Sequence, residues 1–187
     1  TLSNTSGTQT AGGNLVVNTG TLTTTAGGTL DMTSAYTLSG SATFTNNGTI
    51  STAVPTATSA TPIPSGKTWA GTVMYAATAG SQTVLTGTYN NLTLSNTSAT
   101  NTVSGTLTVN GTMTTTSGGT LDMSTYQLLG TITPANNGTI TTSNTNSPAI
   151  PASKDWTGTT GAVTFAVTTG GQYVPAGTYK TLTFSNT

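Results

Sequence analysis

An internal repeat of about 90 residues constrains this chain more than any other feature. Thr1-Leu2-Ser3-Asn4-Thr5-Ser6 returns as Thr93-Leu94-Ser95-Asn96-Thr97-Ser98 and starts again at Thr183-Phe184-Ser185-Asn186-Thr187. Between these marks Gly27-Gly28-Thr29-Leu30-Asp31-Met32 matches Gly118-Gly119-Thr120-Leu121-Asp122-Met123. Asn46-Asn47-Gly48-Thr49-Ile50 matches Asn136-Asn137-Gly138-Thr139-Ile140, and Gly87-Thr88-Tyr89 matches Gly177-Thr178-Tyr179. The copies run over 1–92 and 93–182, and 183–187 opens a third. Repeats of this kind stack or string together, each unit burying its apolar face on the next.

A finer rhythm runs inside each copy. Leu15-Val16-Val17, Thr21-Leu22-Thr23, Thr106-Leu107-Thr108-Val109 and Thr131-Ile132-Thr133 set large apolar residues beside Thr, with Gly-Gly, Asn-Gly or Ser-Gly cutting in every eight to ten residues. Alternation of β-branched residues between turn dipeptides predicts short strands. No apolar stripe at helical spacing exists, and Thr, Ser, Asn and Gly are poor helix formers. Only 53–64 and 143–151, rich in Pro, Ser, Thr and Ala, read as longer loops. Regularly spaced aromatic and aliphatic residues argue against disorder.

The predicted fold is therefore all-β, in one of two architectures. Immunoglobulin-like sandwiches need strands with several large inward residues each. A β-solenoid needs fewer, because each coil rests on the one before and encloses a narrow core. Most strands here offer one or two, as in Thr49-Ile50-Ser51, which favours the solenoid. Coils of roughly 20 residues would give four to five per copy and about 20 Å of rise. Stretches such as Gly105-Thr106-Leu107-Thr108-Val109-Asn110-Gly111, Gly119-Thr120-Leu121-Asp122-Met123 and Gly87-Thr88-Tyr89-Asn90-Asn91-Leu92 resemble repeats of giant bacterial surface adhesins with pectin-lyase-like right-handed β-helices. That resemblance implies a secreted, cell-surface, adhesive or matrix-forming protein.

Composition removes most chemistry. Charged residues are 3% of the chain, against about a quarter in ordinary soluble proteins. Lys67, Lys154 and Lys180 balance Asp31, Asp122 and Asp155, and there is no Arg, Glu, His or Cys. A Ser-His-Asp triad cannot form, zinc has no ligands, and no Asp-rich calcium loop is present. Asp31 and Asp122 hold the same place in successive copies, so alternation makes them separate, solvated surface residues. The carboxylate clusters of pectin-lyase-like enzymes have no counterpart, so the resemblance carries no activity with it. No catalytic residue, metal site or cofactor is expected. Without net charge there is no pull on nucleic acid or anionic lipid. The longest apolar run, Val73-Met74-Tyr75-Ala76-Ala77, is too short to span a bilayer.

Some features remain as candidates. Asn4, Asn47, Asn91, Asn96, Asn110 and Asn137 lie in glycosylation sequons. Trp69, Trp156, Tyr89 and Tyr179 recur at matched places and are expected to anchor the core, the two Trp holding the Pro-containing loops. Lys67 and Lys154 precede the two Trp, which allows a cation–π ligand site as the competing reading. Frequent Thr-x-Thr could present an ice-binding ladder, although Thr is also the natural uncharged strand residue.

The expected function is structural: a segment of an extracellular or cell-surface filament, its repeats stacked head to tail with further copies of itself. A surface-adhesin stalk is the alternative. Thr at position 1 and the absence of a leader imply a mature product or excised segment. The restart at 183 implies an array that continues, covalently or by strand-edge pairing.

Overall fold

The computed structural model describes residues 1–58 and 60–185, so the last two residues of the third-repeat opening lie outside it. Among the described residues every strand pairing is parallel, and partners lie about 20 residues apart: Thr29–Asp31 sits on Thr8–Thr10, Thr49–Thr52 on Thr29–Asp31, Thr120–Asp122 on Thr100–Val103. A hairpin would make antiparallel pairs, so parallel partners one short lap apart mean that the chain winds round an axis. The fold is a β-solenoid of about 8 turns. Sandwiches, the alternative architecture, are excluded because their sheets are antiparallel.

Each turn carries up to three short strands. Leu107–Val109, Thr112–Thr115 and Thr120–Asp122 make one turn. Leu128–Leu129, Thr133–Asn136 and Thr139–Thr142 make the next, each on its counterpart. Successive turns approach so closely at the corners that Gly is required. A Cβ on Gly48 would lie 2.3 Å from the carbonyl oxygens of Gly28 and Thr25, and Gly138 repeats this at 2.5 Å from the Gly119 carbonyl.

Inward side chains stack in single files. Leu30, Ile50, Val73, Leu92 and Met113 are consecutive partners, and all are buried. Burying one such side chain contributes about 1.5–3 kcal/mol, so a file of five forms a continuous spine from few apolar residues. This is how a chain only 33% hydrophobic sustains a core.

Residues 92 and 93, where one repeat gives way to the next, lie inside the Gly87–Leu94 strand. That strand pairs along the Lys67–Tyr75 strand beneath it, with a register shift between Tyr89 and Asn91. The contact that joins the copies is thus the same kind that stacks turns within a copy.

The copies are rotated about the axis. Thr8–Thr10, Thr29–Asp31, Thr49–Thr52 and 72–75 form one file of strands, continued by 91–94, Thr112–Thr115 and Thr133–Asn136. The second-copy equivalents of the first four are Thr100–Val103, Thr120–Asp122, Thr139–Thr142 and Ala162–Phe165, which form a different, neighbouring file. One repeat therefore spans four turns plus one side of three, about 4⅓ turns. At roughly 4.8 Å per turn this is about 21 Å of rise.

Two details differ from the sequence reading. Thr131-Ile132-Thr133 is not a strand; the strand is Thr133–Asn136, with Pro134 opposite Met113. Thr131 and Ile132 instead carry the chain round the corner after Gly130, which has φ 106°. The 53–64 loop contains a 3-10 turn at Thr56–Thr58 and sends Val54 and Ile63 into the interior.

Candidate functional site

Polar side chains enter the interior at matched places. Thr24 Oγ1 donates to Asn46 Oδ1 (2.7 Å), Asn46 Nδ2 donates to the Thr72 carbonyl (2.9 Å), and the Gly48 N–H donates to Thr24 Oγ1 (3.1 Å). Thr115, Asn136, Ala162 and Gly138 repeat the network at 2.6, 3.2 and 2.9 Å. Each network ties three successive turns together. Gln82 forms a second device: Nε2 donates to the Thr52 and Val54 carbonyls (3.0 and 3.3 Å), and Oε1 accepts the Ala77 N–H (2.9 Å). Gln172 does the same with Thr142, Asn144 and Val167 at 2.8, 2.9 and 3.2 Å. Hydrogen bonds on both ends of each amide offset its removal from water. The sequence reading used Asn46 and Asn136 only as marks of the repeat, gave them no role, and passed over both Gln.

Trp69 and Trp156 are fully buried, and among the described residues neither Nε1 has a hydrogen-bond partner. The indoles act as apolar volume. Phe44 lies 5.8 Å from Trp69 between ring centroids, and loop residues Ile63 and Ile150 are buried in the same core cluster. Among the described residues no Lys–Trp cation–π pair forms. Lys67 Nζ sits over Phe44, 5.5 Å from its centroid, and Lys154 Nζ donates to the Thr131 carbonyl at 2.6 Å. Strand alternation and full burial of the indoles leave the ammonium groups outside.

Tyr89 is buried, and its hydroxyl donates to the Leu85 carbonyl at 2.5 Å. The Leu85 N–H in turn donates to Tyr75 Oη at 2.9 Å. Burial pushes the Tyr75 phenol up to about 12 and raises Tyr89 as well, where repulsion from Tyr75 adds to it. Tyr179 repeats the bond to the Pro175 carbonyl at 2.8 Å while remaining half-buried.

The sequon asparagines divide by exposure. Asn47 and Asn110 are exposed at corners. Asn4, Asn91 and Asn137 are half-buried, with Asn91 and Asn137 accepting the N–H groups of Thr112 and Thr159 at 2.9 and 2.7 Å. Asn4 Nδ2 donates to the Gly7 carbonyl at 2.9 Å. Asn96 is buried, its Nδ2 donating to the Gly80 carbonyl at 2.7 Å, so this fold has no room for a glycan there.

Asp31 and Asp122 are half-buried rather than freely solvated. Each accepts a backbone N–H, from Thr33 at 2.9 Å and from Ser124 at 2.8 Å. Thr33 and Ser124 have φ 60° and 49°, a conformation that L-residues rarely adopt, and the carboxylate holds the turn there. Exposed Asp155 accepts the Thr157 N–H at 2.9 Å, and its bonds to Thr157 lower its pKa. Among the described residues no three of His, Cys, Asp and Glu lie together.

Outward positions carry Thr files on two sides of the solenoid. Thr8, Thr29, Thr49, Thr72 and Asn91 are successive partners, and Thr112 pairs with Thr133. The adjacent file runs Thr10, Asp31, Ser51, Met74, Thr93, Thr114, Ala135. On the neighbouring side Thr100, Thr120, Thr139, Ala162 and Thr181 are successive partners beside Thr83, Thr102, Asp122, Thr141, Thr164 and Thr183, two adjacent files that only Ala162 and Asp122 interrupt. A cleft of about 270 Å³ lies between Thr125, the 143–146 turn and 167–169. Its lining is Thr, Ser, Asn and Val, so it offers hydrogen bonds but no acid, base or charge.

No helix among the described residues is long and apolar enough to cross a membrane. Comparison with known protein families, characterised proteins and solved structures finds no match to this chain.

Proposed function

We propose that this chain is a structural segment of an extracellular fibre, in which repeats stack head to tail along one axis. The observation that carries the reading is the join between copies. It falls inside a strand, and turns pair across it as they pair elsewhere, so length grows by adding repeats without a new kind of contact. Stacked turns also satisfy each other's backbone groups, which stiffens the rod along its axis. The paired polar side chains of the interior lock one turn to the next rather than opening toward a substrate. No reaction is assigned to the chain.

The resemblance to β-helical surface adhesins favours a place at the cell surface, with this segment as a stalk or filament body. An uncharged exterior suits close self-association, since nothing repels a like neighbour. Negative-stain imaging of the concentrated chain is expected to show unbranched rods one solenoid wide. A discrete monomer by sedimentation at millimolar concentration would overturn the proposal.

A further inference from the structure

We infer that the outward side of the sheet between Thr83 and Thr164 binds ice. This property is separate from the fibre reading, since it belongs to one face of the turns and not to how they are joined. The strands of the face are Thr83–Val84, Thr100–Val103, Thr120–Asp122, Thr139–Thr142 and Ala162–Phe165, each paired in parallel with the next. They present nine outward places, of which seven hold Thr, Asp122 and Ala162 being the exceptions. All nine are half-buried, the even exposure of side chains standing level on one surface. The equivalent side of the first copy is uneven: Thr10 is exposed, Ser51 is buried, and Met74 stands in the same file.

The face is ordered before anything touches it. Thr100 to Thr120 spans 20 residues, Thr120 to Thr139 spans 19 and Thr139 to Ala162 spans 23, yet the pairing keeps the strands in line and the corners absorb the difference. No register shift interrupts these pairings, unlike the one between Tyr89 and Asn91. Beneath the face Val84, Leu121, Ile140 and Val163 are buried, which gives it a packed floor. Thr is β-branched and restricted at χ1, so little side-chain freedom is left to lose on contact.

The spacings single out the ligand. Stacked turns repeat a Thr about every 4.8 Å along the axis, and alternate residues of a strand lie about 6.6 Å apart across it. Oxygens of ice, bonded tetrahedrally at about 2.75 Å, recur about every 4.5 Å in the basal plane and about every 7.3 Å perpendicular to it. The two grids agree to within about a tenth in both directions, so water held between the Thr files lies near lattice positions. Each hydroxyl both donates and accepts, as a water in ice does. A free charge would impose a hydration shell of its own. The one charge among the nine places is Asp122, and its carboxylate is turned back to accept the Ser124 N–H at 2.8 Å.

The repeat supplies the control. Thr49 and Thr139 hold the same place in the two copies and are both half-buried, but they lie on different sides of the solenoid. Ice grown slowly from a dilute solution of the chain is expected to take the wild type into the solid. T139Y is expected to lose about tenfold in retention, equivalent to about 1.4 kcal/mol of adsorption, and T49Y to stay within about twofold of wild type. Circular dichroism checks that both variants keep the fold. If T139Y does not, T164Y takes its place with M74Y as control, the matching pair one turn on. Wild type left in the liquid overturns the inference, and so does equal loss in the face variant and its control. If T139Y weakens self-association in sedimentation while ice retention is unchanged, the face is a contact between copies and the inference falls. The fibre reading keeps its own test in imaging whichever result is found.

Discussion

Trp69→Ala and Trp156→Ala are each expected to lower stability by about 3–5 kcal/mol, the range for emptying a buried aromatic site. Both indoles are fully buried, and each shares a core cluster with an isoleucine from the loop that precedes it. Ile63 and Ile150 are the buried residues that tie these loops to the core, so the damage is expected to concentrate in 53–64 or 143–151. Limited proteolysis should cut there first, and hydrogen exchange should speed up in the same segments. Because neither indole N–H has a partner, Trp→Phe forfeits no hydrogen bond and should be much milder than Trp→Ala. Equal losses for Phe and Ala would show that the indole N–H is bonded after all. Unchanged cleavage in both Ala variants would place the Trp outside the core and revive a ligand-binding reading.

Alkali should unfold the chain where acid does not. Tyr75 and Tyr89 are held neutral by burial, with the Tyr75 pKa raised from 10.0 to about 12 and that of Tyr89 also raised. A group whose folded pKa lies above its unfolded value stabilises fully below the unfolded value. That contribution drains away as pH climbs from about 10 through the folded pKa. For Tyr75 alone the two-unit rise corresponds to about 3 kcal/mol, lost between roughly pH 10 and 12, and Tyr89 adds in the same direction. In acid the sign reverses for Asp155. Its lowered pKa contributes above the unfolded carboxylate value and fades as pH falls through the folded one, and on so exposed a group the effect is small. With three carboxylates, no Glu and no His, denaturant midpoints should be nearly flat from roughly pH 5 to 9 and fall steeply above about 10. A midpoint that drops near neutrality would contradict this account of the two phenols.

Period and composition made the architecture legible. Short Thr-rich strands with one or two large residues cannot fill two sandwich faces, and the observed single files of Leu30, Ile50, Val73, Leu92 and Met113 are what such strands can build. The estimate of four to five turns per copy agrees with the observed 4⅓. The inward polar residues were harder to read. Alternation carried through Thr43–Asn46 puts Asn46 on the side of Phe44, but a polar side chain gives no reason by itself to be inside; the reason is the backbone carbonyls that Asn46 and Gln82 cap. One signal was available. Gln occurs four times in the whole chain, and two of those four hold the same place in successive copies. The rotation between copies was not legible at all, because it depends on how many sides a turn has. Asp31 and Asp122 looked like surface residues because alternation predicts direction and says nothing about the left-handed turn that follows.

X-ray diffraction from aligned filaments tests the central claim most directly. Strands that run across the long axis, stacked turn on turn, predict a strong meridional reflection near 4.8 Å, with an axial repeat of about 21 Å from 4⅓ turns. Rotation by a third of a turn per repeat adds a layer line near 62 Å, three repeats along the axis. A 4.8 Å reflection on the equator, with beads spaced along the fibre, would mean strands lying along the axis and would contradict both the stacked solenoid and the fibre built from it.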